Sequence, residues 1–439
     1  MRRRLRAVAA SLALALVALA TPAGAVEIKR VVSPGGIVAW LVEDRFAPIV
    51  SLALAVRGGA TTDPAGKEGL AELVATTLDE GAGDLDSQAF QTRLEDLSIS
   101  LSFSAGLDAM RGSLRTLSRN RDEAFRLFGL ALASPRFDDR PVERVRAQLL
   151  TRLAREAQDP GAIAGRTLWA RLFPDHPYGR PRSGTPDSLR TVTRDDLRAF
   201  VPQRFARDAL IIGVVGDIGA DELGPLLDRT FGALPATGVS YRLEKTAPVA
   251  DGKTHVVGLD TPQSTIVFAQ PGLLRGDPDW YAATVLNHIL GGSTFGSRLY
   301  AEVREKRGLA YSAYSYLMSL DFSAAWAGGA ATNNAAVGES VGVIRDVWQN
   351  LATNGVGADE LADAKRYLTG AWPLRFTDTA AIVATLVAVQ LEELGLDYLD
   401  KRNSLIDAVS AEDISRVARR VLDPAKLTIV VVGRPEGLN

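Results

Sequence analysis

The 439-residue chain contains no cysteine, which excludes disulfides, thiolate metal sites and cysteine-linked lipids. Its only histidines are His176, His255 and His288, and no two of them are four residues apart. A helical zinc site needs two imidazoles at positions i and i+4, because these positions share one face of the helix. The sequence therefore predicts that this chain holds no metal of its own.

The chain also lacks a large excess of one charge. Its formal net charge is −2, and 46% of its residues are hydrophobic. These values favour a folded globular protein. They give no indication of a basic surface that would bind nucleic acid. Because the chain is longer than one ordinary core can hold, two or more domains are expected.

The first 25 residues have the pattern of a secretory signal peptide. Four of the first six residues are arginine, an apolar run follows over residues 7–20, and Ala-Gly-Ala at 23–25 suits cleavage. The apolar run is shorter than the roughly 20 residues of a membrane-spanning helix, although an uncleaved anchor is the alternative. We expect export to a bacterial periplasm, a mature chain that begins at Val26, and no stable membrane insertion after cleavage.

An internal repeat organises the rest of the chain. Val192–Gly216 matches Val409–Gly433 without a gap, at a constant offset of 217 residues. In each copy a hydroxyl residue precedes two acidic residues, which predicts a capped helix start, and a β run that ends in glycine follows. Two homologous domains are expected at 26–235 and 253–439, with a polar, turn-rich linker at 236–252.

The order of patterns within each domain predicts an α+β fold. Ser98–Ser104 alternates strictly between polar and apolar residues, as a half-buried strand does, whereas Arg119–Asp159 is largely helical by periodicity. Strands, helices, further strands, a long helical block and a final strand follow one another. We therefore expect a mixed or antiparallel sheet in each domain, with helices packed on one face.

The segment Gly69–Leu78 resembles the active-site helix of the pitrilysin/insulinase family of zinc peptidases. That helix carries an inverted His-x-x-Glu-His motif after a Gly-Leu-Ala lead-in. The resemblance aligns the first histidine with Glu72, the general-base glutamate with Ala75 and the second histidine with Thr76. The last ligand, a glutamate on a later helix, falls near Leu150. Alanine and leucine have no atom that binds zinc or accepts a proton, and threonine is a poor zinc ligand.

Two further segments carry the resemblance. Phe173–Thr185 is similar to the family's loop after the long helices, and Leu290–Tyr311 is close to its second-domain signature. The family grips its substrate with an arginine and a tyrosine seven residues apart, which implies substrate-binding roles for Arg304 and Tyr311. The arginine would donate to a peptide carbonyl and the tyrosine hydroxyl would stabilise an oxyanion. A solvated helix end beside a half-buried tyrosine is the alternative interpretation.

The loss of the zinc ligands beside a retained Arg–Tyr pair implies a non-catalytic subunit. On this interpretation the chain has no metallopeptidase activity alone and no cofactor of its own. It pairs with a zinc-bearing subunit of the same family, which supplies the zinc, and both chains enclose peptide substrates. The alternative is a structural or peptide-binding module with no proteolytic role. An enzyme that acts alone by other chemistry lacks support, because the sequence has no nucleophile–base set.

Overall fold

Two β-sheets organise the computed structural model, which describes residues 27–293 and 295–438. The expected signal peptide, residues 1–25, lies outside the described residues. The first sheet has six strands in the order β1-β2-β6-β3-β5-β4. These strands are β1 (Lys29–Val32), β2 (Val38–Glu43), β3 (Ile49–Arg57), β4 (Ser100–Ala105), β5 (Ala109–Leu117) and β6 (Ile211–Gly216).

The second sheet repeats the arrangement of the first without a counterpart of β1. Its strands are β7 (Thr254–Gly258), β8 (Gln263–Pro271), β9 (Ala310–Ser319), β10 (Ala324–Asn333) and β11 (Thr428–Gly433). Their order is β7-β11-β8-β10-β9. β7 pairs parallel with β11 as β2 does with β6, and the other neighbours in both sheets are antiparallel. The predicted mixed sheets are thus confirmed.

Helices separate the strands in both halves of the chain. The first half contains α1 (Leu70–Ala75), α2 (Ser87–Asp96), α3 (Arg121–Ala133), α4 (Asp139–Glu156), α5 (Pro160–Leu172), α6 (Pro186–Thr191), α7 (Arg194–Arg204) and α8 (Ala220–Phe231). The second half contains α9 (Trp280–Asn287), α10 (Arg298–Tyr300), α11 (Val337–Asn354), α12 (Ala358–Gly370), α13 (Thr379–Leu391), α14 (Tyr398–Asp407) and α15 (Ala411–Val421). Segment 236–252 contains neither helix nor strand.

The repeat found in the sequence is present in the structure. α7 and α15 begin and end 217 residues apart, and so do β6 and β11. Thr193 accepts a hydrogen bond from the N–H of Asp196, whose carboxylate accepts one from the N–H of Thr193. Ser410 and Asp413 form the same reciprocal pair. Because this capping box is local chemistry, the sequence alone sets the start of both helices.

α5 belongs to the first half of the chain but packs on the second sheet. It contacts β8 and β11. Ala164 and Leu168 form one apolar cluster with Val430 and Val432 of β11. The helices of the second half other than α13 bury their apolar sides against the opposite face of this sheet. The second sheet is therefore covered on both faces, and α5, the helix on one face, belongs to the first half of the chain.

α13 makes the reciprocal contact. It comes from the second half and packs on β3 and β6 of the first sheet. Ile382, Val383 and Leu386 lie in one apolar cluster with Trp40 and Val215. A helix that is apolar nearly all round is normally buried, and the first sheet supplies the surface that α13 covers. Each half of the chain thus completes the core of the other.

Among the described residues, no single helix is long and apolar enough to cross a membrane. Ala358–Arg375 and Thr379–Leu391 meet the length and hydropathy requirements only as a pair, and that pair bends by 116°.

A buried hydrogen-bond network joins the two halves near the end of α5. Tyr178, which is 1% exposed, donates its hydroxyl proton to Asp108 Oδ1 at 2.8 Å and accepts from the N–H of Phe322 at 3.1 Å. Asp108 Oδ2 accepts from the N–H of Asp321 at 3.1 Å, and Arg57 pairs with the Asp321 carboxylate at 2.7 Å. Burial raises the pKa of both Asp108 and Tyr178. The network fixes the loop after α5 against the second sheet.

Because α13 packs between the two halves, a cavity beneath it should lower the stability of the protein strongly. Leu386→Ala should lower the free energy of unfolding by about 2–5 kcal/mol, because Leu386 is fully buried between the halves. Leu374→Ala is the matched control, since Leu374 is 71% exposed, and should change stability by no more than about 0.5 kcal/mol. Denaturant unfolding followed by circular dichroism measures both. Equal stabilities of the two variants would contradict the packing.

Candidate functional site

α1, which the sequence resemblance aligns with a zinc-binding helix, is fixed firmly at its start. Gly69 precedes it with φ +93°, a conformation that favours glycine, and a Cβ there would lie 2.8 Å from the carbonyl oxygen of Ser183. The buried Asp63 carboxylate accepts from the N–H groups of Gly69 (2.9 Å) and Ala71 (3.0 Å). Every residue of α1 is buried. A glycine turn and a buried carboxylate therefore hold the start of α1 in place.

Glu72, aligned with the first zinc ligand, is paired with an arginine. Its Oε1 accepts from Arg152 Nη2 at 2.8 Å, and only 11% of its side chain is exposed. Arg152 lies on α4, two residues beyond the position aligned with the family's last ligand, and its Nε is also 3.6 Å from Glu156 Oε1. A buried carboxylate needs a positive partner, and here a guanidinium supplies it. The alignment of motifs considered only metal ligands and so overlooked Arg152.

The other aligned positions carry no metal chemistry. The Thr76 hydroxyl donates to the main-chain oxygen of Glu72 at 2.8 Å, and Ala75 is 1% exposed. Both residues line a cavity of about 360 Å³ together with Arg152, whereas the partly buried Leu150 packs against the first core. Within residues 27–293 and 295–438, no group of three or more His, Asp or Glu side chains is placed to hold a metal ion.

Arg304 and Tyr311 are in contact. The guanidinium carbon of Arg304 lies 4.5 Å from the ring centroid of Tyr311 and 5.0 Å from that of Tyr300, which fits cation–π stacking. Arg304 Nη1 also donates to the Tyr300 hydroxyl at 2.6 Å. Gly308, with φ +65°, reverses the chain between helix and strand and so allows the stack. Tyr300 precedes Arg304 by one helical turn, a spacing that is visible in the sequence and could have indicated this contact.

The Arg–Tyr pair lies in a patch of exposed aromatic side chains. Tyr311 is 80% exposed and Phe295 77%, and Phe295 packs edge-to-face on Tyr300. Tyr314 and Tyr316 are 46% and 41% exposed and stack on each other along β9. β9 is an edge strand, whereas the main contacts of α5 with this sheet are with β8 and β11, so these rings remain largely exposed. Clustered exposed aromatic rings are typical of a binding surface.

Comparison with known proteins supports the resemblance. A family model described as peptidase M16 inactive domain matches residues 191–368. Non-peptidase homolog YmxG from Helicobacter pylori is 28% identical over 89% of this chain and 90% of its own length. An uncharacterized zinc protease from Streptomyces coelicolor is 30% identical over 64% of this chain and 62% of its own length. A crystal structure of a peptidase M16 inactive domain from Pseudomonas fluorescens has a TM-score of 0.87 and 29% identity, over 93% of this chain and 98% of that one.

The chain is therefore similar to M16 peptidase-like proteins over nearly its whole length, and the family model that matches its residues 191–368 is that of an inactive domain. The family match includes Arg304 and Tyr311 but not α1 or α4, so it does not bear on the zinc-ligand positions. The names of the relatives differ, since one is a non-peptidase and the other a zinc protease. In this chain, Glu72, Thr76 and Leu150 stand at the positions that the resemblance aligns with the zinc ligands.

The Glu72–Arg152 pair can be tested by removing one partner and then both. Arg152→Ala should lower the free energy of unfolding by about 1–3 kcal/mol, because it leaves Glu72 unpaired in a buried position. Adding Glu72→Gln should restore part of the loss, since a neutral amide costs less to bury. The control is Arg155→Ala, an exposed arginine on the same helix. If Arg152→Ala and Arg155→Ala lower the free energy of unfolding by the same amount, Arg152 does not stabilise the buried Glu72.

Asp63 makes the anchoring of α1 sensitive to pH. Burial raises the pKa of Asp63 to about 7 from an ordinary value of 3.8, although three N–H donors oppose the shift. The folded protein then binds a proton more tightly than the unfolded chain, so stability falls as the pH rises through this range. Asp63→Asn should lose this dependence. Its free energy of unfolding should therefore rise relative to that of the unmodified protein as the pH increases from 4 to 7. Parallel pH profiles for the two proteins would exclude this role.

Proposed function

We propose that this chain is a non-catalytic subunit of a periplasmic heteromeric zinc peptidase and supplies Arg304 and Tyr311 to bind peptide. The observation that carries the proposal is the contrast between two sites. At the first, a buried Glu72–Arg152 pair stands where the family holds zinc. At the second, Tyr311 is 80% exposed above the Arg304 guanidinium. Loss of the metal site together with retention of the substrate residues suits a subunit whose partner performs the chemistry.

The Arg304–Tyr311 stack is suited to contact an extended peptide. One N–H of Arg304 is used by the Tyr300 hydroxyl, which leaves other guanidinium donors for a peptide carbonyl. Stacking between two tyrosine rings restricts the arginine, so fewer conformations are lost when substrate binds. The Tyr311 hydroxyl is then available to donate to the oxyanion that forms on the scissile carbonyl.

The catalytic part belongs to the partner in this proposal. A second chain of the same family, with an intact inverted motif, holds the zinc ion and the water that it activates. The partner's zinc and the Arg304–Tyr311 pair of this chain act on opposite sides of one peptide. Support for a non-catalytic role comes from the similarity to a non-peptidase homolog over nearly the whole chain. The periplasmic location rests on the pattern of residues 1–25.

The test co-expresses this chain with the product of its neighbouring gene, which the proposal expects to carry the intact inverted motif. The two proteins should co-purify and cleave peptides, whereas this chain alone should not. Tyr311→Phe and Arg304→Ala should each lower kcat/KM by about 10²–10³-fold, as expected for lost transition-state donors. Arg307→Ala and Tyr367→Phe are matched controls on exposed residues outside the stack and should retain activity.

Two outcomes would contradict the proposal. If no zinc-bearing partner co-purifies, the chain is a structural or peptide-binding module without a proteolytic role. If an active complex forms and both stack variants keep full kcat/KM, Arg304 and Tyr311 do not contact the reacting peptide. Size-exclusion chromatography of each variant complex separates a loss of assembly from a loss of catalysis.

A further inference from the structure

A cavity of about 430 Å³ lies where the two halves of the chain meet. Its walls come from α5, the loop at 178–182 and Met318 of β9. Leu107, Trp169 and Met318 give it an apolar lining, and Trp169 is held by stacking on Phe173 with ring centroids 5.3 Å apart. The volume falls within the roughly 300–1,000 Å³ of small-molecule sites. The cavity is distinct from the Arg304–Tyr311 stack and from the α1 position.

Three arginines border this apolar cavity, and none of the described residues that line it is an aspartate or glutamate. Arg166 has a distant partner, since its Nη1 lies 4.0 Å from Glu156. Arg180 and Arg182 are exposed and make no salt bridge with a described residue. The hydrogen bond of Arg180 goes to the main-chain oxygen of Asp63 at 3.5 Å. Two guanidinium groups at the cavity rim therefore lack a counter-charge.

Asp108, the hydrogen-bond partner of the cavity-lining Tyr178, makes no salt bridge to these arginines. Its carboxylate is taken up by the buried network, in which it accepts from the Tyr178 hydroxyl at 2.8 Å and from the N–H of Asp321 at 3.1 Å. An apolar pocket with guanidinium groups at its rim suits a ligand with one apolar group and one anionic end. The planar fork of arginine fits a carboxylate in particular, through two parallel hydrogen bonds.

We propose that this cavity binds the C-terminal residue of a peptide. The apolar side chain of that residue lies against Trp169 and Met318, and its carboxylate pairs with Arg180 and Arg182. The choice of a peptide rests on the proposed function and on the path of β9. Met318 and Tyr311 are seven residues apart on this strand, about 24 Å at the rise of an extended chain. A peptide that passes the Arg304–Tyr311 stack thus reaches the cavity after about seven residues.

Binding to the full chain tests the proposal directly. The probe is a fluorescein-labelled pentapeptide that ends in phenylalanine, with either a free C-terminal carboxylate or an amide, and fluorescence anisotropy gives the affinity. The acid should bind at least about tenfold more tightly than the amide, because only the acid forms charge-assisted hydrogen bonds. Arg180→Ala with Arg182→Ala should remove that preference. Arg171→Ala, an exposed arginine of α5 outside the cavity, should keep it.

The remaining arms separate this proposal from its alternatives. Replacing both Arg180 and Arg182 by lysine should retain only part of the preference, since lysine keeps the charge without the fork. Equal affinity for acid and amide, or an unchanged preference in the double alanine variant, would overturn the site. Stronger binding of dodecanoate than of the peptide acid would assign the cavity to a lipid instead. Arg304→Ala with Tyr311→Phe should leave the pentapeptide preference intact, so failure of the proposed function and failure of the cavity are distinguishable.

Discussion

The structure depends on an exchange of two helices between the halves of the chain. α5 leaves the first half to cover the second sheet, and α13 returns from the second half to cover the first. Without this exchange each sheet would expose an apolar face, so neither half has a complete core alone. A hydrogen-bond network through Tyr178 and Asp108 also fixes the loop after α5 against the turn that follows β9. The proposed peptide surface and the cavity beside Trp169 both lie along this junction.

The inactive zinc position is a stable part of this framework. Asp63 still anchors α1, and Arg152 balances the buried charge of Glu72. A carboxylate left in such a place without metal or partner would be costly. The Arg152 guanidinium supplies the compensation. Because Ala75 stands at the aligned base position, no side chain there could activate a water molecule.

The features that the sequence predicted are those set by local chemistry. The repeated capping boxes at Thr193 and Ser410 mark equivalent helices, and the strands that follow them share one topology. The exchange of α5 and α13 was not predictable, since an apolar helix shows that it is buried but not against which sheet. Arg152 was missed for a similar reason: its contact with Glu72 joins two helices 80 residues apart and depends on how they pack. Spacing did place Arg304 and Tyr311 together, because only a short turn separates them.

The zinc content of the purified full chain decides between an arginine-paired and a metal-bound Glu72. The protein is isolated without chelator, incubated with one equivalent of Zn²⁺, desalted and measured by elemental mass spectrometry. No stoichiometric zinc is expected, because Arg152 holds Glu72 and no second ligand is in place on α1. One zinc ion per chain, lost on Glu72→Gln, would show that this site binds metal and would rule out a metal-free α1.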